Sequence, residues 1–415
     1  MSLPSSPPIR GQGQAEGGGL TPAPSSAPSP VPLPVSSPVP SPVPLPAPRP
    51  AAGIAQPGHP VPEPEWGLPA GRPATGRLAG FRIGPVELAN SLVLAPMAGV
   101  ADGPFRALCA KLGAGLTVSE LANARALTLG STPTIALTRF QGQPRPFAVQ
   151  IFGADPETMA RAAAAIEAWE ICDLIDINMG CPVSKVVKTG AGAAMMRNPR
   201  LAGQVIAAVR QAVSLPVTVK FRLGWSSGQI NVRDFTKMVL DQGVAAVAVH
   251  ARTREAMYSG RAQWEHLAGL GDLCGQVPFI ANGDLGSPAD LEEIQRISGC
   301  RGFMVGRAAI GRPWVFAELL GRPLPDEPAV RFAVFRAHLR EMLMEHGSKG
   351  VALFRVHLFA YLRSHPGASA LRRQLCYERN PAVVQAVGRE FFLGGPPPSG
   401  GREPAVPSGP VAGAA

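Results

Sequence analysis

From Leu92 to Val305, short apolar runs alternate with longer stretches that carry helical spacing. The runs are Leu92–Pro96, Leu116–Glu120, Phe147–Phe152, Leu174–Asn178, Val217–Phe221, Ala246–Ala251, Phe279–Asn282 and Gly302–Val305. Continuous apolar strands of this length are what parallel sheets require, because both of their faces are covered. Between them, Pro156–Trp169, Pro199–Val213 and Pro288–Ile297 place apolar residues at helical intervals. Gly80–Leu88 (GFRIGPVEL) reads as a short hairpin ahead of the first run. Eight strand–helix units in about 230 residues predict an α/β protein of the (β/α)8 TIM-barrel class. A doubly wound open sheet is the competing arrangement, and the strand count favours closure.

The pattern changes after Asp326. No strand signal follows, and Phe332, Phe335, Leu339 and Met342 recur at steps of three and four, one face of a helix. Phe354, Leu358 and Leu362 mark a second helix. Asn380-Pro381 supplies a cap and a first-turn proline for a third, with Val384, Val387 and Phe391 inside. The expected domains are a disordered Pro/Ser/Ala-rich extension over 1–77, a barrel over 78–325, a small helical domain over 326–393 and a disordered tail over 394–415. The extension follows from composition: 22 of the 46 prolines precede residue 76, and proline fixes φ while removing a donor, which favours solvated polyproline II.

Charge adds a direction. Lys and Arg exceed Asp and Glu to give a net charge of +10. From Gly321 to Leu393 there are 11 Lys/Arg against 6 Asp/Glu, so about half of the excess lies on the helical part. Such a balance favours anionic partners, with nucleic acid or a membrane surface as the options, against a basic but ordinary enzyme. The six cysteines form no CxxC pair. That argues against a disulfide scaffold or a zinc site and fits a reducing, cytoplasmic setting. No apolar run is long enough for a membrane span, and the N-terminus lacks the basic start and apolar stretch of a signal peptide.

Active sites of such barrels lie at the C-terminal ends of the strands, so the polar residues there are the candidates. They are Pro96-Met97-Ala98 after the first run, Gln150 in the third, Asn178 and Cys181 at the fourth, and Lys220 and Arg222 in the fifth. His250, Asn282-Gly283-Asp284 and Gly306-Arg307 end the last three. Buried polar groups without partners are costly, so this clustering calls for pairing or for a ligand. Lys220 within VTVKFRL must pair, with Asp176 as one candidate, or contact a ligand. Glycines and Arg307 at the last two strands suit a phosphate, or they simply make tight turns. Cys181 in a Gly-Cys-Pro loop is either a small buried residue or, with a thiol pKa near ~8.5, a general acid. Gly190-Ala191-Gly192 does not directly follow a strand and departs from GxGxxG, so it is not read as a dinucleotide fingerprint. The basic loop from Lys185 to Lys188 either meets RNA phosphates or is solvated.

The strings LAPMAGVADGPFR, GLTVSE, AVQIFG, DINMGCPVSKVVKTGAGAAMM, VTVKFRLGW, VHARTR, FIANGD and MVGRAAIGRPWVF together resemble the bacterial tRNA-dihydrouridine synthases, the DusB-type subgroup most closely. The resemblance runs from about Phe81 to Phe392. It implies an FMN-binding barrel followed by a helical tRNA-binding domain. It also implies NADPH (or NADH) as reductant, the D-arm of tRNA as partner with no membrane or obligate protein partner, and reduction of a D-loop uridine in the position-17 region. Under it, Pro96, Met97 and Ala98 line the isoalloxazine, Gln150 and Lys220 meet its polar edge, and His250 holds it from the sixth strand. Asn282, Gly283, Asp284, Gly306 and Arg307 would hold the phosphate. Asn178 and Arg222 would contact the target nucleotide, and Cys181 would donate the proton. No metal is implied. HART stands where HGRT is common, and GAGAAMM lacks a frequent Ser; neither removes a catalytic group. The alternatives are an FMN barrel acting on a free pyrimidine, like dihydroorotate dehydrogenase, and a tRNA-binding barrel without turnover.

Overall fold

The computed structural model describes residues 74–363 and 367–394. The expectations for the Pro-rich extension and the tail fall almost wholly outside these residues. Eight parallel strands close a barrel: β1 Leu92–Leu94, β2 Leu116–Val118, β3 Phe147–Phe152, β4 Leu174–Met179, β5 Val217–Arg222, β6 Ala246–His250, β7 Phe279–Asn282 and β8 Gly302–Val305. Each pairs with its sequence neighbour, and β8 pairs with β1 to close the ring. All eight runs therefore become strands, and the open-sheet alternative falls. A two-residue strand, Ala122–Asn123, lies on the edge of β3 and has no signal in the sequence pattern.

What reads as a continuous apolar run is an alternation with two destinations. Leu92, Leu94, Phe147, Val149, Ile151, Ile175, Ile177, Val217, Val219 and Phe221 face outward into the layer shared with the helices. Val93, Leu116, Val118, Ala148, Leu174, Ala246, Ala248, Ile280 and Met304 point inward and form a separate cluster. Successive Cβ atoms of a strand point to opposite faces, which makes this division automatic. The hairpin strands Arg82–Ile83 and Val86–Glu87 pair antiparallel, and Ile83 and Leu88 join the inward cluster. They plug the N-terminal end of the barrel.

Helices Pro156–Ala168, Pro199–Ala212 and Pro288–Ser298 lie within two residues of their expected ends. Each begins with a proline after an Asp, Asn or Ser whose side chain accepts a first-turn N–H. Among the described residues, four helices follow the barrel: Pro328–His346, Gly350–Tyr361, Ala368–Leu375 and Pro381–Leu393. Asn380 caps the last, accepting from the Ala382 N–H at 2.9 Å. Phe332, Phe335, Leu339, Met342, Phe354, Leu358 and Leu362 form one apolar cluster, but it also takes in Leu108, Leu112 and Trp314. The helical part thus shares its core with the barrel helix Gly103–Lys111. Among the described residues, no helix is long and apolar enough to cross a membrane.

Candidate active site at the barrel mouth

The inward positions change character along each strand. On β4, Leu174 gives way to Asp176 and Asn178; on β5, Thr218 to Lys220 and Arg222; on β6, Ala246 and Ala248 to His250; on β7, Ile280 to Asn282. All of these polar groups are buried. The C-terminal end of the barrel therefore gathers Gln150, Asp176, Asn178, Lys220, Arg222, His250 and Asn282 in one layer.

The layer is wired. Thr218 Oγ1 and Gln150 Nε2 donate to the Asp176 carboxylate at 2.5 and 2.6 Å. Asn178 Nδ2 donates to Gln150 Oε1 at 2.8 Å. Asn178 Oδ1 in turn accepts the N–H groups of Gly180 and Cys181, at 3.1 and 2.8 Å. A chain of hydrogen bonds thus runs from the barrel interior to the cysteine loop. Gln150 keeps one amide hydrogen and one lone pair for a ligand. Burial raises the Asp176 carboxyl above its ordinary range, against the pull of Thr218, Gln150 and Lys220.

Lys220 does not bond Asp176 directly. Its Nζ donates to Asn282 Oδ1 at 3.2 Å, and Asn282 donates onward to the Met304 carbonyl at 2.7 Å. Burial, with the Arg222 charge, pulls Lys220 down to about 8. His250 is held well below its ordinary value by burial and by the surrounding Lys220, Arg222, Arg252 and Arg307. Its Nε2 lies 3.2 Å from Arg252 Nη1. A guanidinium can only donate, so Nε2 accepts and the ring proton sits on Nδ1.

Cys181 stands half-exposed above this layer. Burial pushes its thiol up, against the Val183 N–H and the charges of Arg222 and Lys220. It therefore holds its proton at neutral pH. Gly190-Ala191-Gly192 backs this loop: Ala193 N–H donates to the Cys181 carbonyl at 3.0 Å. Gly192 has φ +61, and a Cβ there would meet the same carbonyl oxygen at 2.7 Å, so only glycine fits. Arg222 ties loops together through the carbonyls of Gly180, Thr253 and Met257, at 2.7, 2.9 and 2.8 Å. These bonds use its Nε and Nη1 to hold the loops.

The ends of β7 and β8 form a cationic corner. Asp284 accepts from Arg252 Nη2 and Arg307 Nη2, both at 2.6 Å, and from Ala262 N–H at 2.8 Å. Burial works to raise this carboxyl, but those hydrogen bonds outweigh it and hold it below the usual carboxylate range. The Asp284 carboxylate is thus spent on arginines and does not itself suit an anion. What the corner offers is the two arginines it orients and backbone donors. Among the described residues, the N–H groups of Gly283, Asp284, Gly306 and Arg307 reach no protein acceptor. Gly283 has φ +128, and a Cβ there would sit 2.9 Å from Ala262 and 3.3 Å from His250.

Three contributors carry no ligand role in the sequence reading, where Asp176 stands only as a candidate partner of Lys220. Arg252 and Asp176 sit in strings already singled out, but their partners come from other strands. Glu120, at the end of the second run, accepts the Gly99 N–H. It anchors the Pro96-Met97-Ala98 turn, whose residues are partly to fully exposed at the mouth. Outside this ring, Trp225 lies between Arg197 and Arg254, whose guanidinium carbons are 4.7 and 4.8 Å from its ring centre. Tyr258, half-exposed, faces Arg222 at 5.4 Å. Lys185 and Lys188 are exposed and form no ion pair among the described residues.

A closed parallel barrel with one sealed end and a polar, cationic mouth over a protonated thiol defines a barrel enzyme. The model for the family described as dihydrouridine synthase (Dus) matches residues 93–389, spanning barrel and helices. The tRNA-dihydrouridine synthase B of Xanthomonas axonopodis pv. citri is 38% identical over 77% of this chain and 98% of its own length. That of Pseudomonas aeruginosa is 38% identical over 75% and 95%. A probable tRNA-dihydrouridine synthase of Mycobacterium tuberculosis is 41% identical over 71% and 80%. The chain belongs to the dihydrouridine synthase family, and within it to the bacterial B-type branch.

Proposed function

We propose that this protein is an FMN-dependent tRNA-dihydrouridine synthase. It reduces the C5–C6 double bond of a D-loop uridine in the position-17 region, with NADPH as the source of electrons. The observation that carries the reading is the neutral Cys181 thiol, held by Asn178 above a layer of buried donors.

The donor set suits a flavin mononucleotide. Gln150 and Lys220 offer donors to the polar edge of an isoalloxazine, and His250 offers its Nδ1 proton. Pro96, Met97 and Ala98 provide an apolar wall. The N–H groups of Gly283, Asp284, Gly306 and Arg307, with the Arg252 and Arg307 guanidiniums, match a terminal phosphate at the position where such barrels bind one. Bound there, the flavin would supply the hydride that adds to C6 of the uracil ring.

The chain's own residues do the rest. Cys181 gives its proton to C5, so that hydride and proton together saturate the double bond, and it recovers a proton from solvent through its exposed side. Asn178 fixes the loop that carries the thiol. Lys220, charged at neutral pH, stabilises negative charge on the reduced cofactor's edge. Arg222 holds the loops after β4 and β6 together, so the thiol keeps its place.

A base inside folded RNA is unreachable, so the target must be drawn out of its stack into the mouth. The rim is built for single-stranded RNA: cations interleaved with Trp225 and Tyr258, and Lys185 and Lys188 beside the cysteine loop. The helical part adds Arg372, Arg373 and Arg379 around Tyr377, which is 87% exposed. The purified protein should release FMN on acid treatment and oxidise NADPH steadily only with unmodified tRNA. A colourless protein that still binds tRNA would favour a barrel without turnover, and activity on a free pyrimidine without tRNA would favour the dihydroorotate-type reading.

A further inference from the structure

The junction between barrel and helices holds a polar cluster that the reaction does not use. Asp102 caps helix Gly103–Lys111, accepting the Phe105 N–H on Oδ1 at 2.9 Å. His338 lies on Pro328–His346 and His357 on Gly350–Tyr361. The two histidines are 1% and 0% exposed. One donor atom from each of the three residues lies within 4.8 Å of the other two.

The imidazoles are set up as lone-pair donors. His338 Nδ1 is 3.2 Å from the Tyr361 hydroxyl, while its Nε2 makes no hydrogen bond. Neither nitrogen of His357 makes one. The Val100 carbonyl beside His357 favours a proton on the nitrogen facing it, which leaves the other a lone pair. Burial keeps both rings neutral, the form that ligates a metal. Phe105 packs on both rings, at 5.5 and 4.5 Å between centroids, and Phe354 meets His338 edge-on at 5.0 Å. A buried nitrogen without a partner is costly, and one central cation would satisfy one nitrogen of each ring together with the Asp102 carboxylate.

We propose that Asp102, His338 and His357 form a divalent transition-metal site, zinc by donor chemistry, that fastens the helical part to the barrel. Two imidazoles and a carboxylate are a zinc donor set. Bonds of about 2.0–2.1 Å in a tetrahedral shell place ligand atoms ~3.4 Å apart, so the side chains draw in slightly on binding. Tyr361 and the Val100 carbonyl then serve as the outer groups that orient ligating histidines. A cleft lined by Pro104, Leu108, Phe140, Ala337 and His338 reaches the cluster at His338, a route by which a cation could enter. The sequence offered no metal pattern because these ligands come from distant segments and include no cysteine.

The test uses the untagged full-length protein, grown with added zinc and dialysed exhaustively. Elemental analysis should find about one zinc per chain. X-ray absorption should show nitrogen and oxygen neighbours at about 2.0–2.1 Å and no sulfur near ~2.3 Å. His338→Gln and His357→Gln should each drop the content below a tenth, while His266→Gln, outside the cluster, should not. Zinc added to chelator-stripped protein should raise the thermal midpoint. Wild type with less than a tenth of an equivalent of any transition metal and no midpoint shift would overturn the proposal. So would a sulfur-containing shell. Both of these readouts hold even if the variants fail to fold.

Discussion

The two ends of the barrel are built from the same strands, by the same alternation, to opposite purposes. At the N-terminal end the inward residues are Val93, Leu116, Ala148, Leu174, Ala246 and Ile280, sealed by Ile83 and Leu88 of the hairpin. At the C-terminal end, two or four residues further along, they are Gln150, Asp176, Asn178, Lys220, Arg222, His250 and Asn282. One end is stable without a ligand. The other holds a buried lysine, a neutral histidine and a thiol that keeps its proton, each shifted by burial first. The difference teaches where stability and chemistry are separately encoded: a step of two along a strand moves a side chain from the core to the site.

That separation can be broken experimentally. The largest effect should come from Cys181→Ala: dihydrouridine formation falls by about 10²–10⁴-fold, the scale of general-acid catalysis, while bound flavin and tRNA affinity persist. Single-turnover rates on native tRNA would show it. At the sealed end, Leu174→Ala should do the reverse. It should cost about 3 kcal/mol of stability through a core cavity, read by denaturant unfolding, and leave kcat nearly unchanged. Asp284→Asn sits between the two. It removes the partner of Arg252, whose side chain is 2% exposed, and should cost about 3 kcal/mol together with weaker retention of the cofactor.

Smaller effects sharpen the picture. Lys220 is pulled to about 8 by burial, so its charge is present below that pH and lost above it. The rate of the reductive half-reaction should fall as pH rises through about 8, and Lys220→Arg, charged throughout, should flatten the fall. In the empty protein the linkage runs the other way. Between about 8 and the ordinary 10.5 the unfolded chain binds the proton more, so this group's contribution to stability increases with pH. On the helical part, Arg372→Ala with Arg373→Ala should weaken tRNA binding and lower the slope of log affinity against log salt by about 2. An unchanged slope would place the RNA elsewhere.

Much of this was legible in the residues. The strands showed themselves because both faces are covered, and β3, β7 and β8 match their runs to the residue. The polar residues at the run ends marked the mouth, since a lysine inside VTVKFRL must either pair or meet a ligand. What the sequence could not show was partnership across space. Lys220 reaches Asn282 where Asp176 was one candidate; the Asp284 carboxylate serves Arg252 and Arg307, which leaves its backbone N–H to face a phosphate; Arg222 binds carbonyls. Each depends on side-chain reach between strands, which spacing along one strand does not fix. The shared core of helix Gly103–Lys111 with the C-terminal helices was equally hidden, because Leu108 and Leu112 look like any barrel-helix residues until their neighbours are placed.

On this proposal the Cys181 thiol at the mouth completes the reduction of a tRNA uridine. That role is tested most directly by deleting the gene in its host and mapping dihydrouridine site by site in total tRNA. Dihydrouridine should disappear at one D-loop position and return with the intact gene but not with Cys181→Ala. Full restoration by Cys181→Ala would contradict the proposal.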